Sequence, residues 1–264
     1  MTDQPDFFDH PSGRRLAYHH TPGATPTVVF LGGFMSDMTG SKATTLEEHC
    51  RARGQAFLRL DYSGHGASSE KFEDGTIGLW AEDAAAVIDA AVGADGPLVL
   101  VGSSMGGWVA LLLARRWPLR VRGLVGIAAA PDFTERMWTH ELNDDLRATI
   151  LRDGFVKIPS DYGPDPYIFT RALFDDGRKN SVLTGPLPVA GPVRLLQGMQ
   201  DADVPWETAV TLAEKVDSPD PALTLIPAGD HRLSTDQDLA RLTRTVDEIL
   251  ALLNGQETPS RNNP

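Results

Sequence analysis

Ser104 stands between two glycines in Gly102-Ser103-Ser104-Met105-Gly106, after the apolar run Leu98-Val99-Leu100-Val101. Trp108, Leu111, Leu112 and Ala114 follow at helical spacing, and Pro118 forbids continuation. The apolar run is short and branched enough to be a buried parallel strand. A strand that meets a helix through Gly-x-Ser-x-Gly turns too tightly for side chains at Gly102 and Gly106. Ser104 is then pushed above the sheet, its hydroxyl exposed. The Met105 amide, at the helix N-terminus, points into the same space, where unpaired N–H groups favour an anion. The chemistry this allows is attack by a serine hydroxyl on a carbonyl. The pentapeptide taken alone also fits a Gly/Ser-rich turn with no chemistry.

A serine hydroxyl is a poor nucleophile until a base removes its proton, and histidine is the usual base near neutral pH. Of seven histidines, His231 alone falls between the last strand (to Ile226) and the last helix (from Ser234), in Gly229-Asp230-His231-Arg232. His10, His19, His20, His49 and His140 belong to early strands or helices. His65, in Gly64-His65-Gly66, competes by being on a loop, though that stretch reads better as a structural turn. The acid that orients the base must also follow a strand. Gly198-Met199-Gln200-Asp201-Ala202-Asp203-Val204-Pro205 offers Asp201, placed on the turn, and Asp203, placed to begin the next helix. Asp201 is the expected partner; Asp230, adjacent to His231, is badly placed to reach the imidazole. The order Ser104, Asp201, His231 fits a doubly wound sheet. Two N–H donors must face the developing oxyanion, and Met105 and Phe34 are expected to supply them, with Gly32 and Gly33 allowing close approach.

These residues need a sheet to hold them. Thr27 to Leu31, Ala56 to Leu60, Leu98 to Val101, Val121 to Ala128, Val193 to Leu196 and Leu223 to Ile226 read as strands. Helices are expected over 41–53, around Ile77 to Ala91, after Ser104, from Pro205, and from a Ser234/Gln237 capping box. Strand–helix alternation calls for a mostly parallel α/β sheet, doubly wound, with both faces covered. Between Pro131 and Pro192 the alternation breaks. One helix is expected over Phe133 to Ile150 and a shorter one over Tyr167 to Phe174, forming a small, partly helical cap of about 132–190 inserted after the sixth strand. The expectation is one domain over 1–264, with a disordered tail from about 255 to 264.

The chain has 264 residues, 41% hydrophobic and 23% charged, enough to bury a core, and a net charge of -12 that would repel nucleic acid and anionic membranes. No apolar run approaches the ~18 residues needed to span a bilayer. A lone Cys50, in a helix, rules out an internal disulfide and is expected to pack. The acidic Met1-Thr2-Asp3-Gln4-Pro5-Asp6 start shows neither a secretory nor a mitochondrial segment, so a cytoplasmic protein is expected.

The motifs and their order resemble the α/β-hydrolase superfamily over about residues 14–253. Leu31 to Ala43, Asp61-Tyr62-Ser63-Gly64-His65-Gly66, Val101 to Trp108, Val204-Pro205-Trp206 and Asp230-His231-Arg232 are similar to the small α/β-hydrolase-domain family of acyl-protein thioesterases and acyl-glucuronide esterases. That resemblance implies Ser104, Asp201 and His231 as the triad. Gly32 and Gln197 stand where many members carry histidine.

The expected reaction is acyl transfer to water from an ester or thioester, on a small molecule or an acylated protein, with no metal or cofactor. Trp138, Tyr162 and Tyr167, with Phe155 and Phe169, are the cap aromatics expected at an apolar acyl pocket. The alternatives are a catalytically silent hydrolase-fold ligand-binding protein and a cofactor-free perhydrolase or carbon–carbon hydrolase.

Overall fold

The computed structural model of the chain describes residues 4–159 and 166–256. Strands β1 (Asp6–Asp9), β2 (Arg15–Thr21) and β3 (Ala24–Leu31) are followed by α1 (Ser41–Ala52), β4 (Gln55–Leu60) and α2 (Ile77–Val92). The central unit is β5 (Leu98–Ser103), α3 (Met105–Arg116) and β6 (Val121–Ile127). An excursion follows: α4 (Phe133–Arg136), α5 (Asp144–Asp153), β7 (Phe155–Ile158), β8 (Tyr167–Thr170), α6 (Arg171–Lys179) and β9 (Leu187–Pro188). The chain returns through β10 (Val193–Gly198), α7 (Trp206–Lys215), β11 (Val216–Asp217), β12 (Pro221–Ile226) and α8 (Asp236–Gln256).

Eight strands form one sheet in the order β1-β2-β4-β3-β5-β6-β10-β12, with β2 antiparallel to β1 and β4 and every other neighbouring pair parallel. This is the doubly wound α/β-hydrolase arrangement. Successive residues of a strand point to opposite faces, and both faces are buried. Val29, Leu31, Leu98 and Leu100 join α2 and α3 in one core. Val28, Phe30, Val99 and Val101 pack with Leu46 of α1 and with Leu242, Val246 and Ile249 of α8 in the other. The order reverses beside β3, which has β4 on one flank and β5 on the other. A crevice opens beyond the strand ends at such a point.

The cap departs from the expected helices. The single helix expected over Phe133 to Ile150 is two pieces: α4 runs on through a π-helical turn (Met137–Glu141), Leu142 is extended, and Asn143 starts α5 by accepting from Leu146 N–H. Tyr167 to Phe174 is a strand that turns into a helix, because Tyr167 to Thr170 pairs with β7 and Thr170 then caps α6 by accepting from Leu173 N–H. The cap is fastened at its base by Asp132, whose carboxylate accepts from Ser181 Oγ (2.5 Å), Val182 N (2.9 Å) and Leu183 N (2.9 Å). The capping box of α8 sits one residue beyond the expected one: Thr235 and Asp238 exchange side-chain and backbone bonds, at 3.2 and 3.3 Å. That helix includes Gly255 and Gln256, the first two residues of the expected tail; the remainder of the tail lies outside the described residues.

Cys50 is buried in α1, and burial, aided by Asp247, pushes its thiol up to about 12, so it stays protonated and packs. Among the described residues no helix is long and apolar enough to cross a membrane.

Candidate active site

Ser104 joins β5 to α3 with φ 54 and ψ -120, a left-handed conformation that a side-chain-bearing residue adopts only when its surroundings impose it. They do so here. Ser104 N–H donates to Ile127 O (2.9 Å), and Ser104 O accepts from Ala130 N (3.0 Å) and Gly107 N (2.9 Å). A Cβ at Gly106 would lie 2.0 Å from Leu31 O, and one at Gly102 would lie 2.3 Å from Gly106 O, so strand and helix meet this closely only without side chains.

His231 follows β12, and its Nε2 lies 3.1 Å from Ser104 Oγ. On the other side of the ring, Nδ1 lies 2.9 Å from Asp201 Oδ2. The loops carrying the two residues are pressed together: Gln200 N–H donates to Gly229 O (2.8 Å), and a Cβ at Gly198 would lie 2.3 Å from that same oxygen. The Asp201 side chain is fully buried. Burial pushes its carboxyl up, but the hydrogen bond and charge of His231, with the Val204 N–H and the Gln197 amide, outweigh burial and hold it below the usual carboxylate range. Asp203, the alternative acid, is 40% exposed and lies 4.0 Å from Nε2, on the serine side of the ring. Asp230 is exposed and accepts from Leu233 N–H (2.9 Å), turned into its own loop. Asp201, Asp203 and His231 also carry donor atoms within 4.8 Å of one another, the spacing of a metal site, but Asp201 and His231 already spend their facing atoms on each other.

The loop after β3 brings Gly33 against the serine: a Cβ there would lie 3.4 Å from Ser104 Cβ. Phe34 follows in a turn in which Gly33 O accepts from Ser36 N (3.3 Å) and Ser36 Oγ (2.8 Å). Met105, as the first residue of α3, keeps an N–H that the helix itself does not satisfy. The loop is held from behind by residues with no expected role. Tyr62 Oη donates to Gly32 O (3.2 Å), Asp61 Oδ1 accepts from Met38 N (2.7 Å), and Arg59 donates to Met38 O (2.9 Å). The Asp61-Tyr62 pair of the quoted motif was the sequence signal for this support.

These residues open onto a cavity of about 620 Å³. One wall is apolar: Phe34, Phe133, Met137, Ile158, Tyr167 and Phe169. Phe34 stacks on Phe169 (5.1 Å between centroids, 5° between planes), so the cap aromatics rest on the loop that carries the Phe34 amide. Asp37, Thr39, Lys42, Arg232 and Ser234 line another side. Lys42 Nζ donates to Arg232 O (2.5 Å) and Ser234 Oγ (3.3 Å), tying α1 to the His231 loop, and burial, with Arg232 nearby, pulls its ammonium down to about 8.

Of the three aromatics expected at the pocket, Tyr167 lines it. Trp138 does not: adjacent helical residues point about 100° apart, so while Met137 faces the cavity Trp138 packs on Phe174 (5.2 Å) with the Arg178 guanidinium over its ring (5.0 Å). Tyr162 lies outside the described residues. Phe155 is exposed on β7, whereas Phe169 lines the cavity.

His65 does not line this cavity. It is buried among Tyr62, Phe72 and Trp80, with Nδ1 3.2 Å from Ser63 O. Burial pulls its imidazole down to about 4, against the Ser63 carbonyl and Asp83. The unfolded chain binds a proton there near the ordinary value of about 6.5, while the folded chain waits until about 4. Stability therefore falls with pH through that window, by up to about 3 kcal/mol, and is unaffected by this group above it. Urea unfolding near pH 7.5 and near pH 4.5 should show His65→Phe losing less stability than the wild type as pH drops; an equal loss would remove His65 as the cause.

A family model described as the alpha/beta hydrolase family matches residues 28–256. A human protein named palmitoyl-protein thioesterase ABHD10, mitochondrial, is 36% identical over 245 residues, which are 92% of this chain and 79% of that one. Its mouse counterpart is 37% identical over 236 residues, 89% of this chain and 78% of that one. The solved structure of mouse alpha/beta hydrolase domain-containing protein 10 superposes with a TM-score of 0.86 at 35% identity, covering 95% of this chain and 99% of that one. Est1E from Butyrivibrio proteoclasticus shares the fold, with a TM-score of 0.72 at 22% identity, covering 94% of this chain and 98% of that one. The expected cytoplasmic location is corrected by these relatives, whose names place them in mitochondria. A single cysteine separates reducing from oxidising surroundings, not one reducing compartment from another.

Proposed function

The chain belongs to the alpha/beta hydrolase family and is a serine hydrolase of the esterase or thioesterase type, and from that premise we propose that it cleaves fatty-acyl thioesters through an acyl intermediate on Ser104. The observation that carries this reading is the line Ser104 Oγ, His231 Nε2 (3.1 Å), His231 Nδ1, Asp201 Oδ2 (2.9 Å), opening onto a cavity with an apolar wall. Ser104 Oγ attacks the carbonyl carbon as His231 Nε2 takes the hydroxyl proton, and Asp201 holds the ring with its proton on Nδ1. The electron pair of the carbonyl moves onto oxygen, between the Phe34 and Met105 amides, each such donor being worth roughly 3 kcal/mol of barrier. Collapse breaks the C–S or C–O bond, and the leaving group takes the proton from His231. Water, deprotonated by the same nitrogen, then attacks the acyl carbon and Ser104 recovers its proton.

The apolar wall suits the acyl chain, and the cavity volume falls within the range of small-ligand sites, about 300–1,000 Å³. The curated relatives are named for a palmitoyl-protein substrate, which supports a long chain and a thioester here. The polar side, with Thr39, Lys42 and Ser234, also suits the sugar of an acyl glucuronide, and keeps that esterase activity as the second reading. A fluorophosphonate probe should label the wild type and fail to label Ser104→Ala and His231→Ala. A chain-length series of acyl-CoA thioesters and p-nitrophenyl esters should favour long acyl thioesters. No labelling of the folded wild type would refute an activated Ser104; faster cleavage of short esters would refute the substrate.

A further inference from the structure

Gln197 lies at the end of β10, four residues before Asp201, and is fully buried. Its Nε2 donates to Asp201 Oδ2 (2.9 Å), the same oxygen that faces His231 Nδ1. The amide is oriented by its neighbours, since Nε2 also lies 3.2 Å from Gly198 O and from Val204 O. All three facing groups are acceptors, so only the NH2 end of the side chain suits this place. Its Oε1 is buried with no hydrogen-bond partner, a cost the fold would shed if an apolar residue served here. The other Asp201 oxygen accepts from Asp203 N (2.9 Å) and Val204 N (2.8 Å). The carboxylate is thus gripped by three neutral donors besides the imidazole.

We propose that Gln197 is a positioning residue for the Ser104–His231–Asp201 system, aiming Asp201 Oδ2 at His231 and holding the carboxylate in its ionised form. The inference rests on the assignment of Asp201 as the acid of the triad. Gln197 touches no wall of the cavity, so it acts on the acid and not on the substrate. The charged or titratable groups that face the carboxylate are His231 across the loop and Asp203 on its own turn, and an amide adds a donor without adding a titration. Removing the donor has two effects of the same sign. Asp201 protonates more readily, and, while ionised, it binds the imidazolium of His231 more tightly. Either way the acid limb of the pH–rate profile moves to higher pH.

The test measures kcat and KM for a p-nitrophenyl ester against pH for the wild type, Gln197→Met, Gln197→Glu and Asp201→Asn, with active sites counted by fluorophosphonate titration. Gln197→Met conserves length and removes the donor; kcat at neutral pH should fall about tenfold with KM unchanged, and the acid limb should move up by about 1 pH unit. Gln197→Glu keeps the shape if the first variant does not fold, and should move the limb upward at least as far, because a second carboxylate disfavours ionisation of the first. A side chain that only packs would lower the thermal midpoint and the number of active sites, leaving kcat per site and the acid limb in place; that result overturns the proposal. If Asp201→Asn itself keeps wild-type kcat, the assignment of the acid fails, a different outcome from the failure of Gln197.

Discussion

Ser104→Ala should lower acyl turnover by about a millionfold and leave the fold intact, whereas Ser104→Gly should be equally inactive and more stable than Ser104→Ala. The two variants separate what the hydroxyl does from what the backbone stores. Loss of Oγ leaves nothing to form the acyl intermediate, and His231 then faces an empty position. The conformation of residue 104 is independent of its hydroxyl, because φ 54 is imposed by the bonds to Ile127 O and Ala130 N. A residue with a Cβ pays of order 1–3 kcal/mol to sit there, and alanine pays as serine does. Glycine does not, although the freedom it adds to the unfolded chain takes back part of the gain. The net expectation is about 1 kcal/mol in favour of Ser104→Gly, read from urea unfolding of the two inactive proteins. If Ser104→Gly is the less stable of the pair, the elbow holds no strain at this residue.

The elbow was legible because its constraints are local. Gly102 and Gly106 are glycines for reasons that act within a few residues, and the strand and helix on either side have unmistakable patterns. The partners of Ser104 were legible for a topological reason: in a parallel sheet only loops after strands share one edge, and this filters seven histidines to His231 and His65, of which Gly64-His65-Gly66 reads as a structural turn. The cap resisted the same treatment. Leu142 and Leu146 continue the helical spacing of Phe133 and Met137, but Asn143-Asp144-Asp145 is a capping residue before an acidic first turn, and that local signal wins over the periodicity. Tyr167-Ile168-Phe169-Thr170 carries strand-forming side chains, which the expectation of a helix passed over. Which aromatics face the cavity depends on packing between distant segments. Phe169 finds Phe34, some 135 residues earlier, and Trp138 finds Phe174 and Arg178 instead. No spacing rule encodes those choices. Gln197 was visible as a departure from the usual histidine, and only the three acceptors around its amide give it a task.

Asp201→Asn should lower kcat by about 10⁴-fold with the fold retained, while Asp203→Asn should change it by less than about fivefold. The two aspartates lie two residues apart, and the ring nitrogen each approaches decides between them. Asp201 Oδ2 faces Nδ1, so its charge keeps the proton there and leaves Nε2 as an acceptor for Ser104. Asp203 is partly exposed and lies 4.0 Å from Nε2, where water screens it and where it does nothing to fix the tautomer. An amide at position 201 cannot be accommodated neutrally. The backbone N–H groups of Asp203 and Val204 face Oδ1 and cannot turn, so they select the amide oxygen at that end. The NH2 is then left facing Gln197 and His231, two groups placed to donate to a carboxylate oxygen. Gln197 cannot answer by rotating its amide, because Oε1 would then face the Gly198 and Val204 carbonyl oxygens. His231 can answer only by moving its proton from Nδ1 to Nε2, and in that tautomer it cannot take the proton of Ser104. Near-wild-type activity in Asp201→Asn with a collapse in Asp203→Asn would transfer the role to Asp203 and reverse the order of the ring nitrogens.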